Sequence, residues 1–412
     1  MFLAYLEKQA VRPSLFSEPS EASLGIIVVI PAYNEETLIP TIQSLNSCDL
    51  PQKFVEIIVV FNASEKDSEE VIATTKKGCT ELKHWYQQQP DAKFSLYLIE
   101  EYNLPKKQSG VGLARKIGMD EAVRRFQNLG KDGVIVCFDA DSKCQQNYFT
   151  EIEKHFQENL ETEACSIHFE HPLTGTKFNS EVYKGIAYYE LHLRYYKNGL
   201  AFAKLPFAFH TIGSSMAVRV SAYCKEGGMN KRKAGEDFYF LQKFISKGTL
   251  SELNSTMVIP SPRSSDRVPF GTGRAIKEME EGSRQIELSY ALEIFEVLQK
   301  CFANVEEWYT GKPHFESTLV EFIGAENLDK KLNEIRNQST TETRFVKRFF
   351  QWFNAFKTLK FVHFLRDHYF KNKPLMETTK ILLNRIGHDV EEEIEVNQLL
   401  KQYRAIDLAI KN

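Results

Sequence analysis

The fold is decided by the stretch GVIVCFDAD, residues 133–141, in which an apolar run ends directly in two aspartates. Its length and β-branched composition are typical of a parallel strand that is covered on both faces. Three similar runs precede it in the chain: GIIVVI at 25–30, EIIVVF at 56–61 and SLYLIE at 95–100. Between them lie amphipathic helical patterns, over about residues 37–46, after a capping Asp67, and over about 112–126. This alternation predicts a doubly wound α/β sheet whose ligand lies outside the carboxyl ends of the strands.

The pattern changes twice farther along the chain. From about residue 145 to 275 helical and strand patterns occur in no regular alternation. This region includes a loop rich in Ser, Pro, Arg and Gly at 261–273. Beyond about residue 275 the strand pattern disappears and the chain has helical periodicity. We therefore expect an N-terminal extension (1–23), an α/β domain (24–275) and an α-helical C-terminal domain (276–412).

The composition is that of an ordinary globular protein and excludes several classes. The chain has 412 residues, of which 42% are hydrophobic and 26% charged, unlike a disordered or multi-span membrane protein. A formal net charge of -3 gives no reason to expect a nucleic-acid-binding protein. The chain has 7 cysteines without a CxxC pair, no signal-peptide pattern and no apolar run of about 18 residues, which together predict a cytoplasmic protein with reduced thiols.

The aspartates at the strand end form the motif Asp139-Ala140-Asp141. Two carboxylates at the mouth of a parallel strand can hold a hard divalent cation whose remaining ligands are phosphate oxygens. The alternative is a turn in which aspartates cap the next helix.

Polar residues also follow the first two strands, as Pro31-Ala32-Tyr33-Asn34-Glu35-Glu36 and as Asn62-Ala63-Ser64. Both segments should open on the same edge of the sheet as the aspartates. Glu35 could accept hydrogen bonds from a base or a ribose, or the acids could cap a helix.

Two helix starts carry charged residues of interest. Arg115 follows Gly110 and Gly112 in a pattern that favours a bound anion, or that marks a tight turn with a solvated arginine. Farther on, Glu236 and Asp237 open an amphipathic run. A carboxylate at that place either caps the helix or removes a proton from an acceptor hydroxyl.

Taken in order, the segments PAYNEE, VVFNAS, GLARKIGMDEA, CFDADS, GGM and GEDFYFLQKF resemble the signature of family 2 glycosyltransferases, which have the GT-A fold. The resemblance covers roughly residues 24 to 250. It implies a Rossmann-like mixed sheet in the α/β domain, a nucleoside-diphosphate sugar as donor, and Mn²⁺ or Mg²⁺ as cofactor.

The resemblance also implies roles for the matched residues. The donor nucleotide would lie against Pro31, Ala32, Tyr33, Glu35, Asn62, Arg115, Asp139 and Ala140. Asp139 and Asp141 would bind the metal ion, and Asp237 would be the catalytic base, with Glu236 beside it.

The sequence departs from the family pattern in three ways. Family members commonly have an aspartate in place of Asn62, which weakens the preference for UDP over GDP. The QxxRW motif and membrane spans of processive polysaccharide synthases are absent from the sequence, which argues against polymer synthesis coupled to export. No histidine lies between His210 and His314 to serve as a late metal ligand, so Asp266 is the candidate for that place.

The loop at 261–273 and the residue after it contain arginines that could contact the donor. Arg263, Arg267 or Arg274 could neutralise the diphosphate. The loop is either a nucleotide lid or an ordinary surface connection.

We therefore expect a metal-dependent hexosyltransferase that moves a sugar, with inversion, from a UDP-sugar to a hydroxyl of a saccharide, lipid-linked or small-molecule acceptor. A retaining enzyme that makes glucosyl- or mannosylglycerate-type products is one alternative, and a non-catalytic nucleotide-binding scaffold is another. A nucleotidyltransferase should have basic residues after the first strand, and PAYNEETLIP has none.

Residues 344–373 form an unusually aromatic and basic stretch, with a capping-box pattern of Ser339 and Glu342 before it. On a helix, its apolar side chains form one wide stripe. The stripe either docks the C-terminal helices onto the catalytic domain or rests on an anionic membrane as a peripheral contact.

Overall fold

The computed structural model describes residues 1–267, 271–311, 313 and 315–409 of the chain. The strands are β1 (Leu24–Ala32), β2 (Phe54–Ser64), β3 (Ser95–Leu104), β4 (Val134–Cys137), β5 (Lys143–Cys144), β6 (Ala164–Phe169), β7 (Met216–Arg219), β8 (Leu250–Ile259), β9 (Leu288–Ser289) and β10 (Lys373–Pro374). The helices up to residue 280 are α1 (Phe2–Gln9), α2 (Ile39–Asn46), α3 (Glu69–Gln87), α4 (Val111–Leu129), α5 (Tyr148–Glu158), α6 (Ser180–Phe202), α7 (Val220–Lys225), α8 (Glu236–Ile245) and α9 (Thr272–Glu280). The later helices are α10 (Leu292–Phe302), α11 (Ser317–Ile323), α12 (Ala325–Asn337), α13 (Glu342–Trp352), α14 (Ala355–His368), α15 (Leu375–Arg385) and α16 (Val396–Ala409), with a short 3₁₀ helix at Val305–Tyr309.

Eight of the strands form one mixed sheet in the order β3-β2-β1-β4-β7-β6-β8-β5. Strands β3, β2, β1 and β4 are parallel, and β7 lies antiparallel between β4 and β6. Strand β8 is parallel to β6. The doubly wound mixed sheet that the sequence predicts is therefore confirmed, and the four apolar runs of the sequence are its first four strands.

Strands β1 and β4 in the middle of the sheet are apolar because both faces of the sheet are covered. Alternate residues of each strand join two different hydrophobic clusters. Ile27 and Val29 of β1 face the cluster that contains α4, whereas Val28 and Ile30 face α2 and α3. The carboxyl ends of the strands are left as the edge where polar loops gather.

The N-terminal segment packs along α4. The Tyr5 hydroxyl donates to Asp120 Oδ1 over 2.6 Å, and Arg12 pairs with Glu101. The backbone N–H of Leu15 donates to Glu121 Oε2 over 3.2 Å. Residues before β1 thus buttress the helix that carries Arg115.

The helices after residue 276 share one hydrophobic cluster with a face of the sheet. In the aromatic stretch, Phe345, Phe349, Phe353 and Phe361 are fully buried. The stretch is two helices, α13 and α14, because the chain turns at Phe353 and the Asn354 side chain caps α14. The predicted boundary near residue 275 stays a prediction.

Two predicted helix caps are wrong. Thr341, and not Ser339, caps α13, because Ser339 Oγ is turned back to donate to the carbonyl of Ile335. Ser68, and not Asp67, caps α3, and Asp67 accepts a hydrogen bond from Ser64 N instead. Within the described ranges, every helix is too short or too polar to cross a bilayer.

Candidate active site

The loop after β1 is held in place by α3. Asn34 has a left-handed backbone, with φ of 51°, and its N–H donates to Thr75 Oγ1 over 3.1 Å. A Cβ on Gly78 would lie 2.6 Å from the carbonyl oxygen of Glu35. The helix can therefore approach this loop closely only because position 78 is a glycine.

Glu35 is buried in this loop and is paired with two arginines of the segment after β8. Arg263 Nη1 donates to Glu35 Oε2 over 2.8 Å, and Arg267 also binds this carboxylate. Arg267 Nη2 donates to the carbonyl of Asn34 over 2.7 Å. The segment after β8 thus folds over the end of β1, although residues 268–270 of the loop at 261–273 lie outside the described part.

The other predicted nucleotide contacts line the same edge. Ala32 ends β1, and Pro31 stands beside Val60 of β2 in the parallel register. Tyr33 is half-buried, and burial together with the nearby Asp67 charge raises the pKa of its hydroxyl. Asn62, at the end of β2, is buried, and its Oδ1 has no hydrogen-bond partner among the described residues.

The Asp-x-Asp motif follows β4, and α2 anchors it. Thr41 Oγ1 donates to the carbonyl of the buried Ala140 over 2.8 Å. Asp139 and Asp141 remain partly accessible, with side chains 41% and 26% exposed. Arg263 Nε lies 2.6 Å from Asp141 Oδ2, so this arginine joins Asp141 to Glu35. Burial raises the pKa of the Asp141 carboxyl to about 6, and the charges of Asp139 and Glu35 add to this effect while Arg263 opposes it.

Arg115 connects the motif to the start of α8. Its Nη2 lies 2.5 Å from Asp139 Oδ1, and its Nη1 binds Glu236. The guanidinium is almost fully buried and passes beside Gly213, where a Cβ would lie 2.5 Å from Nη1. Gly213 is therefore needed to make room for Arg115.

Glu236 and Asp237 form the first turn of α8, after Gly235 in a left-handed conformation with φ of 69°. Burial raises the pKa of the Glu236 carboxyl to about 7, because the charge of Arg115 only partly offsets burial and Asp237 adds repulsion. Burial also raises the pKa of Asp237, against the opposing charge of Arg115. Asp237 Oδ1 accepts a hydrogen bond of 2.7 Å from the N–H of Phe238.

The glycines before Arg115 have a different role from the one that the sequence suggests. A Cβ on Gly112 would lie 2.3 Å from the carbonyl oxygen of Arg232, and one on Gly110 would lie 2.7 Å from Cα of Lys233. The close backbone approach at the start of α4 is thus to the chain's own loop before α8, and an anion is not needed to explain it.

The structure does not bring Asp266 to the other two aspartates. Its side chain is 67% exposed, and Oδ2 accepts a hydrogen bond of 2.7 Å from Lys277. In the described part of the chain, no group of three or more His, Cys, Asp or Glu side chains could hold a metal ion. Arg274 is also turned away, since it pairs with Glu278 one turn along α9. A third protein ligand from Asp266 stays a prediction.

Three residues that hold the site together were not predicted from the sequence. Gly213, Gly78 and Thr75 carry no charge and belong to no motif, so only their packing reveals them. The one available signal was the Gly-Ser-Ser turn at 213–215, where Ser214 and Ser215 are buried although both are polar.

Residues 27–225 match the model of the family described as glycosyl transferase family 2. A comparison with curated proteins finds no match. Among solved structures, S. aureus TarS 1-349 in complex with UDP-GlcNAc aligns at 13% identity over 93% of this chain and 90% of that chain, with a TM-score of 0.39. Mannosyltransferase PcManGT from Pyrobaculum calidifontis, in complex with GDP-Man and Mn²⁺, aligns at 13% identity over 98% of this chain and 87% of that chain, with a TM-score of 0.36.

The family match spans the first seven strands of the sheet, from β1 to β7, and the Asp-x-Asp motif at the end of β4. It ends before Glu236 and Asp237, so the predicted roles of these two residues lie beyond it. Residues 27–225 form a glycosyl transferase family 2 domain, and the protein is a glycosyltransferase.

Proposed function

We propose that this enzyme transfers a sugar from a nucleoside-diphosphate sugar, with a UDP-sugar favoured, to an acceptor hydroxyl, and that the transfer inverts the anomeric configuration. The observation that carries the proposal is the position of Arg115. This buried cation contacts Asp139 of the Asp-x-Asp motif and Glu236, the neighbour of Asp237. Donor residues and a candidate base are therefore parts of one connected site.

The donor nucleotide has matching partners at the ends of β1 and β2. The buried Oδ1 of Asn62 is an acceptor that a base N–H could satisfy, which would remove the cost of an unpaired polar atom. Glu35 could accept hydrogen bonds from a ribose. Arg263 and Arg267 supply positive charge beside Glu35. This charge suits the diphosphate, because one guanidinium group can donate hydrogen bonds to two phosphate oxygens at once.

Asp139 and Asp141 fit a divalent cation. Each carboxylate has one oxygen on an arginine, and both side chains remain partly exposed. Burial is the main cause of the raised pKa of Asp141, and the charges of Asp139 and Glu35 add a repulsion that a cation would relieve. Mn²⁺ or Mg²⁺ bound here would neutralise charge on the departing diphosphate. Arg115 and Arg263 would hold the two carboxylates in place.

Asp237 is the proposed base. One of its oxygens is fixed by the N–H of Phe238, which leaves the other to accept the proton of an acceptor hydroxyl. Its raised pKa makes it a stronger base than a solvated aspartate. Glu236 would stay bound to Arg115 and position it.

We also infer the wider setting of the enzyme. The division into residues 1–23, 24–275 and 276–412 remains our proposed organisation, with the active site in the middle part. All seven cysteines are free thiols, which fits the reducing environment of a cytoplasmic enzyme.

The test begins with nucleotide sugars offered to the full chain with Mn²⁺ or Mg²⁺, with binding followed by thermal shift and turnover by release of the nucleoside diphosphate. With the donor known, Asp237→Asn is compared with wild type. Loss of a general base should lower transfer by about 10² to 10⁴-fold. Donor affinity, measured by calorimetry, should stay within a few-fold of wild type.

The outcomes separate the alternatives. Equal losses of transfer and donor affinity would contradict the role of Asp237 as base. A product that keeps the anomeric configuration of the donor, read by NMR, would favour the retaining enzyme. Nucleotide-sugar binding without any turnover of any donor would favour the scaffold.

A further inference from the structure

Three cations stack on aromatic rings between the loop before α8 and helices α13 and α14. These side chains form a strip of Arg232, Tyr239, Trp352, Phe356, Lys357 and Lys360, and we call it the cationic strip. None of these residues was singled out for the site by the sequence. The strip joins the loop before α8 to the two aromatic helices α13 and α14.

The first part of the strip is continuous across the two halves of the chain. The Arg232 guanidinium lies 3.7 Å from the centre of the Tyr239 ring. That ring lies 5.5 Å from the ring of Phe356 on α14, and Lys360 Nζ lies 4.6 Å from the Phe356 ring. Cations stacked on rings keep their donors free for a further ligand.

The second part carries crowded positive charge. Lys357 Nζ lies 3.8 Å above the Trp352 ring. Burial, together with the charges of Lys331 and Lys360, lowers the pKa of Lys357 to about 8. An anion bound here would relieve this repulsion.

Within the described residues, these cations have no carboxylate partner. In the parts of the chain that the structure describes, Arg232, Lys357 and Lys360 form no ion pair, while Arg232 and Lys360 are exposed. Lys231 and Lys233 beside Arg232 are exposed as well. The whole chain has a formal net charge of -3, so this local excess of positive charge is not a general property of its surface.

The strip includes a residue of the helix that begins with the proposed base. Tyr239 stands two residues after Asp237 on α8, and the carbonyl of Arg232 packs on Gly112 at the start of the helix that carries Arg115. One end of the strip therefore lies on the two elements, α8 and the loop before it, that adjoin the proposed active site. Ring faces suit the C–H faces of sugars or polyols, and the cations suit negative charge.

Resting on the proposed function, we infer that the cationic strip binds the acceptor, and that the acceptor is an anionic saccharide or polyol chain bearing carboxylate or phosphate groups. The negative charges pair with Arg232, Lys357 and Lys360. The rings of Tyr239, Trp352 and Phe356 support the carbon skeleton between these charges.

The test is calorimetric titration of the full chain with polygalacturonate as the carboxylate arm, polyphosphate as the phosphate arm, and neutral dextran of similar length. We expect at least one of the anionic chains to bind and dextran not to bind. The double substitution Arg232→Ala and Lys360→Ala should weaken that binding by about tenfold or more. The matched control, Lys154→Ala with Lys401→Ala, removes two exposed lysines on α5 and α16 and should bind as wild type does.

Three results would overturn the inference: no binding of either anionic chain, equal binding of dextran, or unchanged binding in the double variant. Binding of phosphatidylglycerol vesicles in place of the soluble chains would also overturn it, in favour of a membrane contact. Donor binding is titrated separately. If the protein binds no nucleotide sugar, the proposed function is contradicted. If it binds the donor but neither anionic polymer, only the inferred role of the cationic strip is contradicted.

Discussion

Glu236 is a carboxylate that the fold buries before any ligand binds, and its raised pKa has a consequence for stability. The native state holds this proton more tightly than the unfolded chain, so stability falls as pH rises from about 4.5 to about 7. Glu236→Gln removes the effect. We expect the variant to match wild type at pH 4.5 and to be more stable by about 1–3 kcal/mol at pH 8.

Urea unfolding at these two pH values measures this difference. Glu326→Gln is the matched control, because Glu326 is exposed at the start of α12. The control should leave the free energy of unfolding close to wild type at both values. A difference between Glu236→Gln and wild type that does not change with pH would contradict burial as the cause of the raised pKa.

The sequence identifies the charged residues of the site better than their partners. Asp139, Glu236 and Asp237 could be found because strand ends and helix starts are where such groups collect. Their link through Arg115 could not be found, because it depends on the space beside Gly213, about a hundred residues farther along. Asp266 fits its predicted role poorly, since Lys277 holds it at the surface.

The segment after β8 is the element that closes the donor site over the loop after β1. Arg263 contacts both Glu35 and Asp141, and so it lies where a diphosphate would approach. Arg263→Ala should weaken binding of UDP by about tenfold, because a charge-assisted contact to phosphate is lost. Uridine has no phosphate, so its affinity should stay within a few-fold of wild type. Calorimetry with both ligands makes the comparison.

Arg385→Ala is the control for this variant, since Arg385 is 61% exposed on α15. It should leave the affinities for UDP and uridine unchanged. If Arg263→Ala weakened uridine as much as UDP, Arg263 would support the nucleoside pocket through Glu35 and would not act on the diphosphate.

The elements that the sequence could predict are those with a single clear period. Strands β1 to β4 and helices α2 to α4 have it, and their positions agree with the structure within a few residues at most boundaries. Strand β8 contains Glu252, Asn254 and Ser255 among its apolar residues, so it lacks the continuous apolar run of β1 and β4 and was missed. The break between α13 and α14 was also missed, because Phe353 continues the apolar stripe while its backbone leaves the helix.

At the scale of the whole molecule, a buried network of charges ties the last helix to the sheet domain. Arg194 on α6 binds Glu190 and Asp407, and Arg404 on α16 also binds Glu190. Asp407 further accepts a hydrogen bond of 3.0 Å from Lys197. The pairs that join α6 to α16 come from segments about two hundred residues apart, and no local pattern in the sequence could have paired them.

A substitution of Asp407 measures how much this network contributes to the stability of the fold. Burial opposes its ionisation, but the hydrogen bond to His210 and the charges of Lys197 and Arg194 outweigh burial and hold the pKa of Asp407 well below its usual range. The contribution of the ionised Asp407 carboxylate to the free energy of unfolding is therefore complete above about pH 5 and is lost as pH falls below about 4. Asp407→Asn removes one of the two carboxylates that pair with each of Arg194 and Lys197. The loss of these charged hydrogen bonds should cost about 1.5–3 kcal/mol at pH 7. Urea unfolding between pH 3.5 and 8 should show the gap to wild type narrowing only at the acid end, whereas Asp389→Asn, at an exposed aspartate, should show no gap. A gap that is small at pH 7 would contradict a stabilising role of Asp407 and would leave the apolar contacts of α16 and the ion pairs of Arg404 to hold this helix.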